Sequence, residues 1–313
     1  MLKTVDKGIL YMLLGALISA LNGAISKILA EDMSAMEIVF FRNLIGVGLI
    51  LYALKHTPPK LTGGKWYLLI TRGILGFTAM ILFFYTITTI PLGEAITLNK
   101  TSPLFVTILA YYLLKESLSK KTLFALLIGF IGVMMIAKPV GVTISYEHFL
   151  GILGGFFAAA AYTTIKKIKD IYDARVIVLS FVGIGTLMPA LFFLLAPYVD
   201  APKALSFLFP AFSYPSSFKV WSLILFMGII SVISQWLLTK AYSSSNLSII
   251  GVISYTNIPF AIGFGWMLGD AFPDTFTFIG IGLIVLGGIL VSKKQFYYFK
   301  NLLSFKIKKD III

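Results

Sequence analysis

Apolar runs of about 20 residues follow one another along almost the whole chain, parted by short polar breaks. A run of about that length spans the hydrocarbon layer of a bilayer as an α-helix. Of the 313 residues, 58% are hydrophobic and only 12% are charged, whereas a soluble domain needs far more charge to cover its surface. The sequence therefore predicts an all-α integral membrane protein.

The runs and breaks predict ten transmembrane helices. They lie at about residues 8–28, 36–54, 66–87, 92–114, 121–138, 149–168, 175–198, 219–241, 246–268 and 275–292. The first run is longer than a signal-peptide core and many more follow, so we interpret it as a retained helix. The long connection between the seventh and eighth helices carries Pro202, Pro210 and Pro215, which predicts a loop with an interfacial apolar segment.

The loop cations provide an independent test of this count. If the amino terminus is cytoplasmic, 19 of 22 loop cations fall on the cytoplasmic side, and the other side holds Lys138, Lys203 and Lys219. Positive loops stay on the cytoplasmic side of an inner membrane, and one missed helix would exchange the sides of every later loop. We therefore expect a multi-pass protein of the cell inner (plasma) membrane with both termini in the cytoplasm.

The two halves of the chain resemble each other with a period of about 155 residues. Leu114-Lys115-Glu116 follows the fourth helix and Leu268-Gly269-Asp270 follows the ninth, and each precedes a glycine-bearing helix. Those glycines permit close helix approach. Five helices per repeat is an odd number, so the second copy enters from the opposite face. This predicts two inverted five-helix repeats at 1–140 and 148–293, and then a basic tail at 294–313 that contacts membrane lipid.

Composition excludes several classes of function. The formal charge of +13 lies in the breaks between helices, which argues against a nucleic-acid partner. The chain has no cysteine, so no thiolate can act as a nucleophile or metal ligand. His56 and His148 fall in loops, and no phosphate-binding loop appears. We expect no catalytic residue, no metal site and no cofactor, and hence not an enzyme.

Ionisable side chains within the predicted spans are the first site candidates: the cations Lys27, Arg42, Arg72 and Lys100, and the acids Glu37 and Glu94. A charge in the bilayer interior costs on the order of 2.5–3.5 kcal/mol, so it normally faces protein or water. Lys100 lies about eight residues, or about 12 Å, inside the outer end of its helix. We predict a substrate or coupling role for Lys100, and the alternative is a structural lysine held by Glu94 or Glu37.

The neighbours of that lysine form a polar stripe on an otherwise apolar helix. Thr97, Thr107 and Tyr111 recur with it at steps compatible with 3.6 residues per turn. Pro103 leaves the carbonyl of Asn99 without its usual donor, which opens the helix for a ligand or a bend. These residues are predicted to bind substrate.

The other cations have alternative explanations. Arg42 follows Glu37 by five residues, so a structural ion pair and a substrate clamp are both open. Arg72 lies some six residues inside the cytoplasmic end of its helix, where a long side chain can snorkel to headgroups, and we favour that interpretation. Lys27 lies near a helix end and is interpreted as interfacial.

The second repeat offers neutral groups at equivalent depth. They can hydrogen-bond or stack, and we predict that they complete the substrate site: Tyr162, Gln235, Trp236, Ser254, Tyr255 and Asn257.

Several of these segments together resemble the EamA repeat of the drug/metabolite transporter superfamily. The first repeat carries Phe40-Phe41-Arg42-Asn43, Arg72-Gly73, and Pro91–Ala95 leading through Thr101–Phe105 to Leu114-Lys115-Glu116. The second copy is weaker, with Asn257 in the place of Pro103. The resemblance implies ten helices, alternating access, a cavity lined by helices 1, 3, 4, 6, 8 and 9, and peripheral helices 5 and 10 that could form a homodimer.

The expected function is secondary-active transport of a small polar metabolite by alternating access. Cations outnumber acids four to two within the spans, which favours an amino-acid-like or organic-anion substrate. A lipid-handling, flippase-like protein and a non-transporting structural membrane protein are the alternatives. A closed central cavity would separate them.

Overall fold

A computed structural model of the chain describes residues 7–59, 63–89, 98–137, 146–215, 217–269 and 272–290. Within these ranges the chain is helical and has no β-strand. The helices are α1 (Lys7–Leu29), α2 (Ala35–His56), α3 (Trp66–Thr89), α4 (Ser102–Leu114), α5 (Lys120–Ala137), α6 (Tyr146–Ile168), α7 (Ala174–Leu195), α8 (Phe218–Ser244), α9 (Leu247–Ser254), α10 (Asn257–Met267) and α11 (Thr275–Leu290). A 3₁₀-helix, Lys203–Leu208, lies between α7 and α8. The predicted tail at 294–313 lies outside the described residues.

The prediction of an all-helical membrane protein is confirmed. Seven stretches are long and apolar enough to cross a bilayer: α1, α2, α3, α6, α7, α8, and α9 with α10 as one stretch, Leu247–Met267. The described parts of α4 and α11 are also apolar but shorter. Within the described residues, each predicted span contains a helix. The ninth is divided between α9 and α10, and the fourth is described only from residue 98.

Polar residues at the helix starts explain where several helices begin. The Ser34 hydroxyl accepts a hydrogen bond from the Glu37 N–H, and the Glu37 carboxylate accepts one from the Ser34 N–H at 2.8 Å, which forms a capping box at α2. Asp173 caps α7 and binds the Arg175 guanidinium with distances of 3.1 Å. Hydrogen bonds from Arg175 hold the pKa of Asp173 below its usual value. Asn246 caps α9, because its side-chain oxygen accepts hydrogen bonds from the N–H groups of Ser248 and Ile249.

The helix contacts of the first half are repeated in the second half. α1 packs on α8, and α3 packs on α6. These two contacts are equivalent, because α6 is the counterpart of α1 and α8 is the counterpart of α3 in the other repeat. The contact of α4 with α6 likewise matches that of α1 with α9 and α10, and α2–α8 matches α7–α3. The pairs α2–α7 and α4–α9 map onto themselves. Such a pattern results when two similar halves are related by a two-fold operation.

A break interrupts the fourth and ninth spans at equivalent positions, 155 residues apart. Thr101 precedes α4 and Thr256 precedes α10, and their N–H groups donate to Leu98 and Ile253 at 3.1 and 3.0 Å. Pro103 in the first turn of α4 cannot donate a backbone hydrogen bond, so a break here is expected. When the two breaks are superimposed in sequence, Asn257 corresponds to Ser102. The sequence comparison had paired Asn257 with Pro103, which is the next residue.

The peripheral helices α5 and α11 approach closely through glycine, as predicted. A Cβ at Gly132 would lie 2.6 Å from the carbonyl oxygen of Gly280, and a Cβ at Gly280 would lie 2.6 Å from that of Gly132. Any larger residue would force these helices apart.

Candidate functional site

A cavity of about 220 Å³ lies between the two halves, beside the two helix breaks. The segment around the first break contributes Asn99, Lys100 and Ser102, and the segment around the second contributes Ser254 and Asn257. Helices α1, α2, α3, α6, α7 and α8 complete the wall, and no described residue of α5 or α11 takes part. The resemblance implied most of this lining, but α2 and α7 are additions.

Three cationic side chains face this one cavity. They are Arg42 from α2, Arg72 from α3 and Lys100 from the segment before α4. Among the described residues that line the cavity there is no aspartate or glutamate. The cavity therefore carries a net positive charge.

Arg72 is the most deeply buried of the three, with 2% of its surface exposed. Its guanidinium carbon lies 4.9 Å from the centre of the Phe181 ring, a cation–π contact. Its Nε and Nη1 atoms are buried and have no hydrogen-bond partner among the described residues. A Cβ at Gly76 would lie 2.3 Å from Nη1, so the glycine one turn ahead gives this guanidinium its space.

Arg42 makes one weak contact. Its Nη2 atom donates to the sulfur of Met80 at 2.9 Å, and its buried Nε has no partner. A thioether is a weak acceptor. The neighbouring Asn43 holds α2 in place, because its amide nitrogen donates to the Gly185 carbonyl of α7 at 3.0 Å.

Lys100 connects the two breaks. Its ammonium donates to the side-chain oxygen of Asn257 at 3.2 Å. The amide nitrogen of Asn257 in turn donates to the Ala16 carbonyl of α1 at 2.9 Å. The lysine is thus positioned by a neutral amide, and two of its three N–H donors remain available.

An aromatic pair forms another part of the wall. The rings of Tyr162 on α6 and Tyr242 on α8 stack with centroids 4.3 Å apart and planes at 14°. Both line the cavity, together with Gln235 on α8. Stacked tyrosines give a rigid surface with polar tips.

Comparison with known proteins identifies the group to which these features belong. Residues 6–138 and 145–293 each match the EamA-like transporter family. The chain belongs to this family. The transporter is 32% identical over 297 residues to an uncharacterized transporter of Helicobacter pylori strain ATCC 700392 / 26695, with 93% of this chain and 96% of that protein covered.

A second relative has a functional name. The transporter is 30% identical over 296 residues to the pseudopaline exporter CntI of Pseudomonas aeruginosa strain UCBPP-PA14, and the match covers 94% of this chain and 99% of that one. A solved crystal structure with 15% identity matches with a TM-score of 0.75, over 92% of this chain and 97% of that chain, which shows a shared fold. The predicted membership of the drug/metabolite transporter type is confirmed, and the protein is a multi-pass membrane transporter. Relatives with transporter names are consistent with the expectation that it is not an enzyme.

Seven of the predicted substrate-binding residues of the transporter line the cavity: Lys100, Asn99, Arg42, Tyr162, Gln235, Ser254 and Asn257. Four others, Thr107, Tyr111, Trp236 and Tyr255, are not among the lining residues. The Thr107 hydroxyl donates to the Pro103 carbonyl, and Tyr111 is 51% exposed with its ring against Tyr112. Thr97 and Glu94 lie outside the described residues.

Tyr255 and Trp236 of the second repeat pack against other side chains in the structure. Tyr255 is fully buried, and a Cβ at Gly129 on α5 would lie 2.7 Å from its ring. Trp236 lies 6.2 Å from the Tyr11 ring, outside the cavity. The stripe prediction assumed one continuous helical period through the fourth span, whereas a break at Thr101 precedes Thr107 and Tyr111. Trp236 lies on the continuous helix α8, and the sequence did not show which face of α8 meets the cavity.

Glu37 has a different environment from the one that the sequence suggested. Its carboxylate accepts hydrogen bonds from the N–H and hydroxyl of Ser34 and from the N–H and hydroxyl of Ser213, at 2.6–2.8 Å. Between the described residues Glu37 and Arg42 there is no ion pair. Glu37 fastens the loop before α8 to the start of α2.

Arg72 is the main residue that sequence reasoning assigned differently. The snorkelling interpretation is wrong, because the side chain is buried over Phe181 and faces the cavity. Gly76, four residues later, is the available signal, since a glycine one turn ahead leaves room for an arginine to lie along its own helix. Tyr242 was also missed, and its stacking on Tyr162 has no sequence signature.

Proposed function

We propose that the protein is a secondary-active transporter that moves a small organic anion or an amino-acid-like molecule across the inner membrane by alternating access. The main support for this proposal is the cavity between the two halves. Arg42, Arg72 and Lys100 line it, and no acid is found among its described lining residues. Buried cations that lack counter-charges are costly unless an anionic ligand joins them.

We propose ten spans in two inverted repeats with both termini in the cytoplasm. The distribution of loop cations supports this orientation. The exchange pattern of helix contacts and the paired breaks support a pseudo-two-fold relation between the halves. In transporters built from inverted repeats, such broken helices surround the substrate site.

Alternating access requires that the cavity opens to one side of the membrane and then to the other. The protein has two groups of polar contacts between its helices and loops, which we call polar fastenings. One joins Glu37 to Ser213 at the start of α2. The other joins Glu116, which accepts a hydrogen bond from the Leu247 N–H at 2.9 Å, to Lys166 at 3.6 Å. We propose that these fastenings close the outer and the cytoplasmic end, respectively, and that they open in alternation.

A homodimer through the fifth and tenth spans remains a proposal. The family resemblance implies it, and apolar side chains on α5 and α11 that would face either lipid or the second copy are exposed, including Phe124, Ile131 and Phe276. Disulfide formation between copies with cysteine at position 124 would test it, because the chain has no other cysteine.

The test of function is counterflow in proteoliposomes with labelled organic acids and amino acids. Replacing Arg42 with glutamine removes one charged hydrogen-bond donor and should reduce transport about 10-fold or more. The exposed Lys121, replaced in the same way, is the matched control. Movement of labelled phospholipid that depends on Arg42, with no movement of soluble anions, would instead establish the lipid-handling alternative.

A further inference from the structure

The charges of the cavity restrict the substrate more than the proposed function does. We infer that the substrate carries at least two separate oxyanion groups, such as the carboxylates of a small polycarboxylate. The inference rests on the proposed function, and it chooses between the two substrate classes left open there.

The first step is the number of positive charges. Arg42, Arg72 and Lys100 bring three of them to one cavity, whose described lining has no aspartate or glutamate. Arg42 makes only a weak bond to the Met80 sulfur among the described residues. Lys100 has a single neutral acceptor, Asn257. One carboxylate supplies a single negative charge, so it leaves most of the charge of the three cations uncompensated, and a second oxyanion group brings the site closer to neutrality.

The second step is their separation. The guanidinium of Arg72 lies beside Gly76, whereas that of Arg42 contacts Met80. Gly76 and Met80 are one turn apart on α3, or about 6 Å. Lys100 enters from a different helix, so the positive centres suit anionic groups placed along a short carbon chain.

The third step concerns the helix ends. α4 begins at Ser102 and α10 begins at Asn257, so their positive dipole ends lie at the cavity, but α9 ends at Ser254, which also lines it and brings a negative end. The three formal charges therefore decide the sign of the site.

The fourth step is the absence of a partner for an ammonium group. The described lining contains no aspartate or glutamate. The amino group of a zwitterionic amino acid would meet three cations without an acidic counter-charge among the described lining residues. The cavity thus disfavours simple amino acids and favours polyanions.

The experiment measures ligand-dependent stability of the purified protein at matched ionic strength. Butyrate, succinate and propane-1,2,3-tricarboxylate form a series of one, two and three carboxylates, and alanine represents the zwitterions. We expect affinity to rise about 10-fold or more for each carboxylate that gains a charged donor. Glycerol 3-phosphate and fructose 1,6-bisphosphate form a second series, in which the oxyanion is phosphate and not carboxylate. Tighter binding of the bisphosphate than of the monophosphate would also support the inference.

A variant that lacks one of the three cations tests whether each carboxylate binds a separate positive charge. In Arg72→Gln the advantage of the tricarboxylate over succinate should fall from about 10-fold towards none, and Lys121→Gln should keep it. Lys100→Gln removes a different cation and repeats the test if Arg72→Gln does not fold.

Two negative results can be told apart. If butyrate and alanine bind as tightly as the polyanions, the inference is overturned but transport of small metabolites stands. If no soluble anion or amino acid binds or is carried, the proposed function fails as well.

Discussion

Arg72→Met should make the protein more stable and at the same time less able to bind an anion. Arg72 is buried, its Nε and Nη1 have no acceptor, and the described residues offer it no acid. Methionine can follow much of the same path over Phe181 without any polar donor. The substitution therefore removes a cost of folding together with a contact to substrate.

The size of the effect can be worked from these contacts. Each buried donor without a partner costs about 1–3 kcal/mol, so the two nitrogens cost about 2–6 kcal/mol. The Phe181 ring, at 4.9 Å, offsets up to about 2 kcal/mol of this. We expect a net gain in unfolding free energy on the order of 2 kcal/mol, which corresponds to a rise in Tm of about 4–8 °C.

The assay is intrinsic-fluorescence melting in detergent, for which the four tryptophans suffice. Arg175→Met is the matched control, because the Arg175 guanidinium binds Asp173 at 3.1 Å and the Thr57 carbonyl at 2.9 Å. The same substitution should lower Tm there. The two variants thus differ in the sign of the shift. Ligand-induced stabilisation by succinate should be lost in Arg72→Met and retained in Arg175→Met.

One result would refute this reasoning. If Arg72→Met lowers Tm as much as Arg175→Met does, the guanidinium has a strong partner and is part of the scaffold. If Tm rises but succinate still stabilises the variant fully, the burial argument holds and the assignment of Arg72 to the substrate site is wrong.

Four further predictions follow from the same geometry. Lys100→Ala should abolish counterflow with little change in Tm, whereas a large drop in Tm that Glu94→Gln restores would show a structural ion pair. Gly76→Val should displace the Arg72 guanidinium, which lies 2.3 Å from the position of the new Cβ, and weaken succinate binding about 10-fold or more in titrations; unchanged affinity would contradict this. Lys120→Cys, the sole cysteine of its chain, should react with a membrane-impermeant reagent from the cytoplasmic side, and external labelling would overturn the topology. An inside-negative potential should accelerate efflux of a dianion from proteoliposomes, since each charge gains about 2.3 kcal/mol per 100 mV, and a rate independent of potential would count against net charge movement.

Local features of the sequence were enough to predict the helices. Span length depends on bilayer thickness and on contiguous apolar residues, so the described part of each predicted span contains a helix. Pro103 predicted an opening beside Asn99 because a missing N–H is a property of the residue itself.

The site was predictable in part. Lys100 and Asn99 could be placed in it because depth within a span and the effect of a proline are both readable along one helix. Arg72 could not, since snorkelling and burial differ only in the rotamer and in whether Phe181 of another helix lies beneath the guanidinium. Glu37 also required the structure, because its partner Ser213 is 176 residues away.

The sequence by itself determined the helical spans, the two-repeat organisation and the excess of positive charge within the membrane, because all three follow from residue type and spacing. Only the tertiary structure decided that Arg42, Arg72 and Lys100 face one cavity, and that Tyr111 and Tyr255 do not. Which side of a broken helix meets the centre depends on how the pieces rotate when α4 packs on α6 and α10 packs on α1. That rotation is set by contacts between residues far apart in the chain, which periodicity along a single helix does not contain.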